Sequence, residues 1–182
     1  MNELTAIITQ TIGYKKSRQT TADFIMARPE LMDDFIPICF EIKNPDHYKA
    51  CWAMELIAYE KLDWFQEYLP LICSKSKILT NESAIRPLSK IIFLLIEAHY
   101  KAAKNKIHFT EEQRQQLIEI NFDWLITDTK VASKVYAMRS LELLGKEYHW
   151  IHPELETILI KDFSNHTAAY KGVSKHILKK IK

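Results

Sequence analysis

The stretch that decides the fold is residues 35–59, FIPICFEIKNPDHYKACWAMELIAY, because it has the pattern of one complete pair of helices. Apolar residues recur at helical spacing on one face of a first helix: Leu31, Phe35, Ile38 and Ile42. That helix is expected to continue to Lys43, with a bend at Pro37, which removes one backbone hydrogen bond. Asn44 is then the predicted N-cap of a second helix, with Pro45 at its first position.

The second helix of this pair carries two apolar stripes. Ala50, Ala53, Met54 and Ile57 form one stripe, and Tyr48, Trp52, Leu56 and Tyr59 form the other. A helix with two apolar stripes must be covered on two sides. We therefore expect it to be an inner helix.

The helix-pair pattern recurs along the chain. Residues 62–77, with Pro70 inside, and 82–104 predict a second pair, and the capping box Thr110-Glu111-Glu112-Gln113 opens a third. A fourth pair opens at His152, and its last helix is expected to be capped by Ser164 or Asn165. Second helices begin near residues 46, 82, 130 and 166, a period typical of stacked helix pairs. The prediction is one all-α domain over residues 1–182, with capping helices in 1–28 and repeats over 29–61, 62–104, 110–147 and 152–182.

Two short motifs resemble those of the HEAT and armadillo repeat family. Phe35-Ile36-Pro37-Ile38 is similar to the Leu-Leu-Pro-Leu of a HEAT first helix. Lys49-Ala50-Cys51-Trp52-Ala53-Met54 is similar to the basic residue and Ala-Trp-Ala-Leu of the second helix. The resemblance covers residues 30–180 and implies a right-handed α-α superhelix, a solenoid of about four repeats. Arg86-Pro87 departs from the pattern, because an uninterrupted helix is expected there.

Composition excludes several classes of protein. The net charge of +2 does not imply a polyanionic partner, and no run of about 18 apolar residues predicts a membrane span. The N-terminus lacks the pattern of a signal peptide, so we expect a cytoplasmic protein. Cys39, Cys51 and Cys73 lie in apolar segments without CxxC spacing, which favours reduced, buried thiols. Seven histidines include no HExxH motif, so neither a metal nor a cofactor is expected.

Charged and aromatic residues on the predicted second helices are the candidates for binding. The ordinary interpretation is a solvated face with a Glu97–Lys101 ion pair, and six lysines after residue 160 are interpreted as a solvated last helix. The functional interpretation is a groove for a protein or peptide on the concave surface. Its proposed residues are Arg86, Lys90, Phe93, Glu97 and Tyr100, joined by Arg139 and Glu142 in the next repeat.

Glu55 is a further candidate because it is a carboxylate in an otherwise apolar helix. It is either a buried group with a raised pKa that marks a site, or the partner of a basic residue on the next second helix, with Arg86 as the expected partner. On these residues we expect a non-catalytic scaffold or adaptor that binds proteins. A homodimer through the same face is a third hypothesis.

DNA is the alternative ligand. One branch of the HEAT-like proteins, the alkylpurine DNA glycosylases, holds DNA on a basic concave face and uses tryptophans with an aspartate. Asp63-Trp64 and Asp123-Trp124 supply these residue types, but they fall on predicted first helices, and the arginines form no stripe for phosphates.

The chain also resembles short bacterial proteins that carry the label adenylosuccinate lyase. True members of that enzyme family are much longer and contain a mobile loop, Gly-Ser-Ser-x-Met-Pro-x-Lys-x-Asn-Pro. None of the three glycines, Gly13, Gly145 and Gly172, begins such a run. The residues therefore do not support lyase activity.

Overall fold

The computed structural model describes residues 2–101 and 107–181, and these ranges contain helices and connecting turns with no β-strand. The prediction of an all-α protein is thus confirmed. Residues 102–104, which we assigned to the end of a long helix, lie outside the described residues. The chain divides into two compact units, Met1–Ile91 and Ile92–Lys182, and the boundary falls inside a helix.

The first unit contains five helices and the beginning of a sixth. They are α1 (Glu3–Gln10), α2 (Lys15–Met26), α3 (Met32–Ile38), α4 (His47–Glu60), α5 (Leu69–Lys75) and the first part of α6 (Glu82–Tyr100). Short 3-10 segments cover Pro29–Leu31, Leu62–Tyr68 and Ser76–Ile78.

Helix α4 is the central helix of the first unit. It contacts α1, α2 and α3, and nine of its 14 residues are buried. The small side chains of Ala50 and Ala53 are fully buried, which allows neighbouring helices to approach closely. The expectation that this helix is covered on more than one side is confirmed.

The structure corrects our boundaries for the first helix pair. Helix α3 ends at Ile38, after which the backbone hydrogen bonds tighten to the i−3 pattern that is common at helix ends. Ile42 therefore leaves the apolar face, and it is 52% exposed. Asn44 is not an N-cap: its Oδ1 accepts from the N–H of Asp46 at 2.9 Å in a turn, and Asp46 precedes α4.

The segment 62–77 also differs from the prediction of a single α-helix. Residues Leu62–Tyr68 form a 3-10 segment, and α5 starts next to Pro70, which occupies the first turn. Proline has no N–H to donate to the carbonyl four residues earlier, so an α-helical ladder cannot run through it without a gap. The proline at this position begins a helix, whereas Pro37 lies near the end of one.

Pro87 lies inside α6 without ending it. Because Pro87 has no N–H, the carbonyl of Ser83 loses its usual helical donor. The indole Nε1–H of Trp52, on α4, donates to that carbonyl at 3.0 Å. A side chain from a neighbouring helix thus satisfies the backbone group that the proline leaves unpaired.

The described residues of the second unit, 92–101 and 107–181, contain the end of α6 and four more helices. These are α7 (Glu111–Ile126), α8 (Val131–Leu144), α9 (Ile151–Asp162) and α10 (Ala168–Lys180). Helix α8 contacts α7, α9 and α10, and eight of its 14 residues are buried. It has the same central position in its unit as α4 has in the first.

Capping interactions fix the helix ends in the second unit. The predicted capping box of Thr110 and Gln113 is confirmed, with both reciprocal hydrogen bonds present. The ammonium of Lys134 donates to the carbonyls of Leu125 and Thr127, each at 2.7 Å, at the C-terminus of α7. The N-cap position of α10 is Thr167 rather than Ser164 or Asn165, which belong to a 3-10 segment.

Two further expectations concern the state of the cysteines and membrane-spanning helices. All three cysteines are free and buried, as predicted. Within the part of the chain that the structure describes, no helix combines the length and the apolar character needed to cross a membrane.

A double-mutant cycle tests the contact between Trp52 and Ser83. We expect Trp52→Phe to lower the free energy of unfolding, because it removes the donor to the Ser83 carbonyl, a hydrogen bond worth about 1 kcal/mol net. In a Pro87→Ala background the new N–H can pair with that carbonyl, so Trp52→Phe should cost about 1 kcal/mol less. Urea unfolding followed by circular dichroism measures both costs, and equal costs in the two backgrounds would refute this account.

Candidate binding cleft

Helices α6, α8 and α10 line a cleft of about 600 Å³ in the second unit. Four of the residues proposed from the sequence lie on it: Phe93, Glu97, Arg139 and Glu142. The remaining lining residues are Lys101, Leu143, Lys146, Gly172, Val173, His176, Ile177 and Lys180. All twelve belong to the unit Ile92–Lys182.

Helical spacing explains why these side chains meet. Phe93 and Glu97 are one turn apart on α6, and Arg139, Glu142 and Lys146 follow at three- and four-residue steps along α8 and the turn after it. On α10 the lining positions also recur at helical spacing: Gly172, Val173, His176, Ile177 and Lys180. One face of each helix therefore contributes to the cleft.

The cleft combines apolar surface with an aromatic and cationic pair. Ile177 is buried, and Leu143, Val173 and Phe93 are half-buried. The ring of Phe93 lies 5.9 Å from that of Tyr136, and the guanidinium of Arg139 lies 5.9 Å from the centroid of Phe93. Arg139 is exposed, and none of the described carboxylates forms a salt bridge with it. Its hydrogen-bond donors are therefore accessible to a ligand.

Glu142 is the most buried of the charged residues for which the cleft provides a salt bridge. Its side chain is only 10% exposed, and the ammonium groups of Lys180 and Lys146 lie 3.6 Å and 3.8 Å from its carboxylate oxygens. Two partners compensate the cost of placing this carboxylate in a partly desolvated position. Glu97 pairs separately with Lys101 at 2.8 Å, as the sequence spacing predicted.

The charge balance of the lining is positive. Four permanent cations, Lys101, Arg139, Lys146 and Lys180, line the cleft together with two carboxylates, Glu97 and Glu142. The surplus of +2 equals the formal net charge of the entire chain. An anionic group in the cleft would thus meet a favourable potential.

Glu55, Arg86 and Lys90, also proposed from the sequence, belong to the first unit. Glu55 is 8% exposed, its carboxylate accepts from the Tyr59 hydroxyl at 3.2 Å, and Lys90 Nζ lies 3.3 Å away. Lys90 Nζ also lies 4.7 Å from the centre of the Tyr59 ring. The salt bridge thus joins Glu55 to Lys90 and not to Arg86, which is exposed one helical turn earlier. This arrangement satisfies a buried carboxylate, and it accords with the pairing interpretation of Glu55.

Tyr100 does not line the cleft. Its hydroxyl donates to Glu147 at 2.7 Å, and burial, reinforced by that carboxylate, raises the pKa of Tyr100. Glu147 lies 3.6 Å from Arg114, which also donates to the Tyr148 hydroxyl at 2.9 Å. Tyr100 thus takes part in a polar network that joins α6, α7 and the turn after α8.

Lys146, His176 and Lys180 line the cleft but were not among the residues proposed from the sequence. The lysine-rich end of the chain was interpreted as a solvated helix, since charge density alone does not distinguish a lysine at a cleft from one in bulk water. The signal that could have identified His176 and Lys180 is their spacing with apolar Val173 and Ile177 on one face of α10, and Lys146 could have been identified by its i+4 position after Glu142.

Other reactive groups are less accessible. Among the described residues no cluster of His, Cys, Asp and Glu could hold a metal ion. Burial raises the pKa of Cys39, and it raises that of Cys73 to about 12. Hydrogen bonding with Cys39, and secondarily with His47, lowers the pKa of Cys51 to about 7 against the effect of burial. All three thiols are shielded from solvent, so they do not form an open nucleophilic site.

The two Asp-Trp pairs differ in how deeply the tryptophan is buried. Trp124 is only 4% exposed and belongs to the core of its unit, while Asp123 is exposed. In the first unit Trp64 is half-buried with the Lys61 ammonium 5.8 Å from its ring, and Asp63 is exposed. Trp124 is therefore not available to stack on a nucleic-acid base.

Two glycines of the second unit are expected to respond oppositely to alanine. A Cβ at Gly172 would meet no atom within 4 Å, so Gly172→Ala should raise the free energy of unfolding by about 0.5–1 kcal/mol through helix propensity. A Cβ at Gly145 would overlap the ring of His152, which lies 3.0 Å from the Glu142 carbonyl, so Gly145→Ala should lower it by about 1–3 kcal/mol. Urea unfolding measures both, and a stabilising effect of Gly145→Ala would contradict the packing described.

Comparison of the chain with protein-family models, with curated proteins and with solved structures finds no match. We therefore infer its function from the geometry and the charge of the cleft.

Proposed function

We propose that this protein is a non-catalytic protein-binding scaffold or adaptor, and that the cleft between α6, α8 and α10 receives a segment of another polypeptide. The observation that carries the proposal is the cleft itself, because its lining combines apolar side chains, an aromatic ring and charges of both signs. Arginine and aromatic residues are enriched among the side chains that dominate binding energy at protein interfaces.

The packing of neighbouring helices supports the proposed architecture, a right-handed HEAT-like or armadillo-like array of helix pairs. Each central helix contacts the helix that precedes it in sequence: α4 contacts α3, and α8 contacts α7. Helix α8 also contacts α9 and α10, which form the next predicted pair. Helix pairs that bury their apolar faces on neighbouring pairs are typical of repeat arrays, and these arrays bind extended ligands.

A protein ligand fits the lining better than DNA does. The apolar side chains of Leu143, Val173 and Ile177 offer a contact to an apolar side chain of a peptide, whereas a phosphate backbone binds chiefly through a row of cations. Trp124, one of the two tryptophans considered for base recognition, is buried. No residue arrangement described above favours a glycosylase or a lyase.

Selection from a random peptide display library, followed by affinity measurement, tests the proposal. We expect the full chain to enrich peptides that bind a Phe93→Ala/Arg139→Ala double variant at least tenfold more weakly, since loss of interface anchors commonly costs 1.4 kcal/mol or more. A second variant, Gly172→Phe, should also weaken binding, because its side chain would extend into open space in the cleft.

Lys161→Gln is the matched control. Lys161 is exposed at the end of α9 and does not line the cleft, so this variant should bind the selected peptides as the wild type does. Circular dichroism establishes that each variant is folded. If no peptide is enriched, or if the cleft variants bind as tightly as the control, the cleft is not the binding site.

A further inference from the structure

We propose that the segment bound in the cleft is acidic, with two carboxylate side chains that flank an apolar residue. This inference rests on the proposed function and names the chemistry of its partner. It is drawn from the charges that the cleft leaves incompletely paired and from the apolar surface between them.

The two lysines beside Glu142, Lys146 and Lys180, form the first anchor for a ligand carboxylate. Charge-assisted N–H···O bonds are commonly about 2.7–2.9 Å long, whereas the ammonium groups of Lys180 and Lys146 lie 3.6 Å and 3.8 Å from the Glu142 oxygens. Each ammonium has three donors, and the two lysines share one carboxylate. Both side chains are about half-exposed, at 49% and 58%, so a second carboxylate can approach them from solvent.

The guanidinium of Arg139 is also placed to bind a carboxylate. Its guanidinium lies beside the face of Phe93, and its fork of donors matches a carboxylate bidentately. The aromatic contact restricts the side chain before a ligand arrives, so less conformational entropy is lost on binding. Arg139 is therefore a second anchor for a carboxylate, separate from the pair of lysines.

The distance between the two anchors sets the spacing of the acidic residues in the ligand. Arg139 and Lys146 are seven residues apart, which is roughly 10 Å along a helix axis. An extended polypeptide covers that distance in about three residues. Leu143 lies between the two anchors in sequence, and Val173 and Ile177 contribute apolar surface from α10. Successive side chains of an extended chain point to opposite faces, so the matching ligand has an apolar side chain midway between two acidic residues four positions apart, the shortest spacing that keeps all three on one face.

Glu142 also limits the affinity for such a ligand. Its negative charge lies beside the lysines that would bind the incoming carboxylate, so it competes with the ligand for the same cations. Removal of this charge should tighten the binding of an acidic ligand. If Glu142 served only to maintain the shape of the cleft, its substitution would instead weaken binding of the acidic ligand.

The test uses two synthetic peptides and a charge series in the full chain. One peptide has two glutamates four residues apart with leucine midway between them, and its twin has glutamine at both glutamate positions. We expect the wild type to bind the acidic peptide about tenfold more tightly. Lys180→Gln should weaken binding of the acidic peptide roughly two- to fivefold, the range expected for partly exposed ion pairs. Glu142→Gln should strengthen it by a similar factor, and both changes should affect binding of the uncharged twin less than they affect binding of the acidic peptide.

Lys161→Gln and Glu119→Gln are the controls, because they make the same charge changes on exposed residues outside the cleft. Both should leave the affinities unchanged. If Glu142→Gln does not fold, Glu97→Gln replaces it, since Glu97 is the other carboxylate of the lining and the expected sign is the same. Isothermal titration calorimetry at low and moderate salt measures each Kd.

Three outcomes would overturn the inference. Equal affinity for the two peptides, or failure of both to bind, would show that the cleft does not select carboxylates. Whether the cleft binds peptides at all is decided separately, by the selection from the peptide library. Weaker binding of the acidic peptide by Glu142→Gln would show that the charge of Glu142 does not compete with the ligand. Binding of a duplex DNA oligonucleotide with the same response to the charge series would assign the cleft to nucleic acid.

Discussion

The structure depends on one constraint, the burial of a central helix on several sides within each compact unit. Helices α4 and α8 each contact several other helices, and small side chains such as Ala53 and Ala137 are fully buried on them. Burial of apolar surface is the dominant favourable term in folding, and a helix that is apolar on two stripes obtains it only when neighbours cover both. The outer helices can therefore be short and irregular, as α3 and α5 are, because the central helix organises their packing.

This constraint also determines how polar groups are accommodated. A charged side chain on a central helix must find a partner, because an unpaired buried charge is costly. Glu55 on α4 pairs with Lys90 and Tyr59, and Glu142 on α8 pairs with Lys146 and Lys180. The backbone follows the same rule: Trp52 donates to the carbonyl that Pro87 leaves unpaired, and Lys134 donates to the end of α7. These contacts explain how proline and lysine occur at partly or fully buried positions without disrupting the helices.

The cleft follows from the same packing. Helix α8 directs its buried face to its neighbours. Arg139 and Glu142, near its C-terminal end, and Lys146, in the turn after it, line the cleft together with the apolar and basic residues of α10. Glu142 is positioned by two constraints at once, since its carbonyl is 3.0 Å from His152 while its carboxylate lies beside two lysines. The proposed preference for an anionic side chain rests on this arrangement, in which packed helices present charges that are incompletely paired.

The sequence by itself determined the helical class, the central position of α4 and the capping box at Thr110, because these depend on periodicity and on local hydrogen bonding. It also determined that Phe93 and Glu97 share a helix face, and that Arg139 and Glu142 do. Only the tertiary structure decided which charges meet. Residues 142 and 180 are 38 positions apart, and no local pattern indicates that Lys180 reaches Glu142, or that Lys90 and not Arg86 reaches Glu55. Local patterns fix which face of a helix is apolar, whereas the pairing of long flexible side chains depends on the distance between helices, which only the packed structure sets.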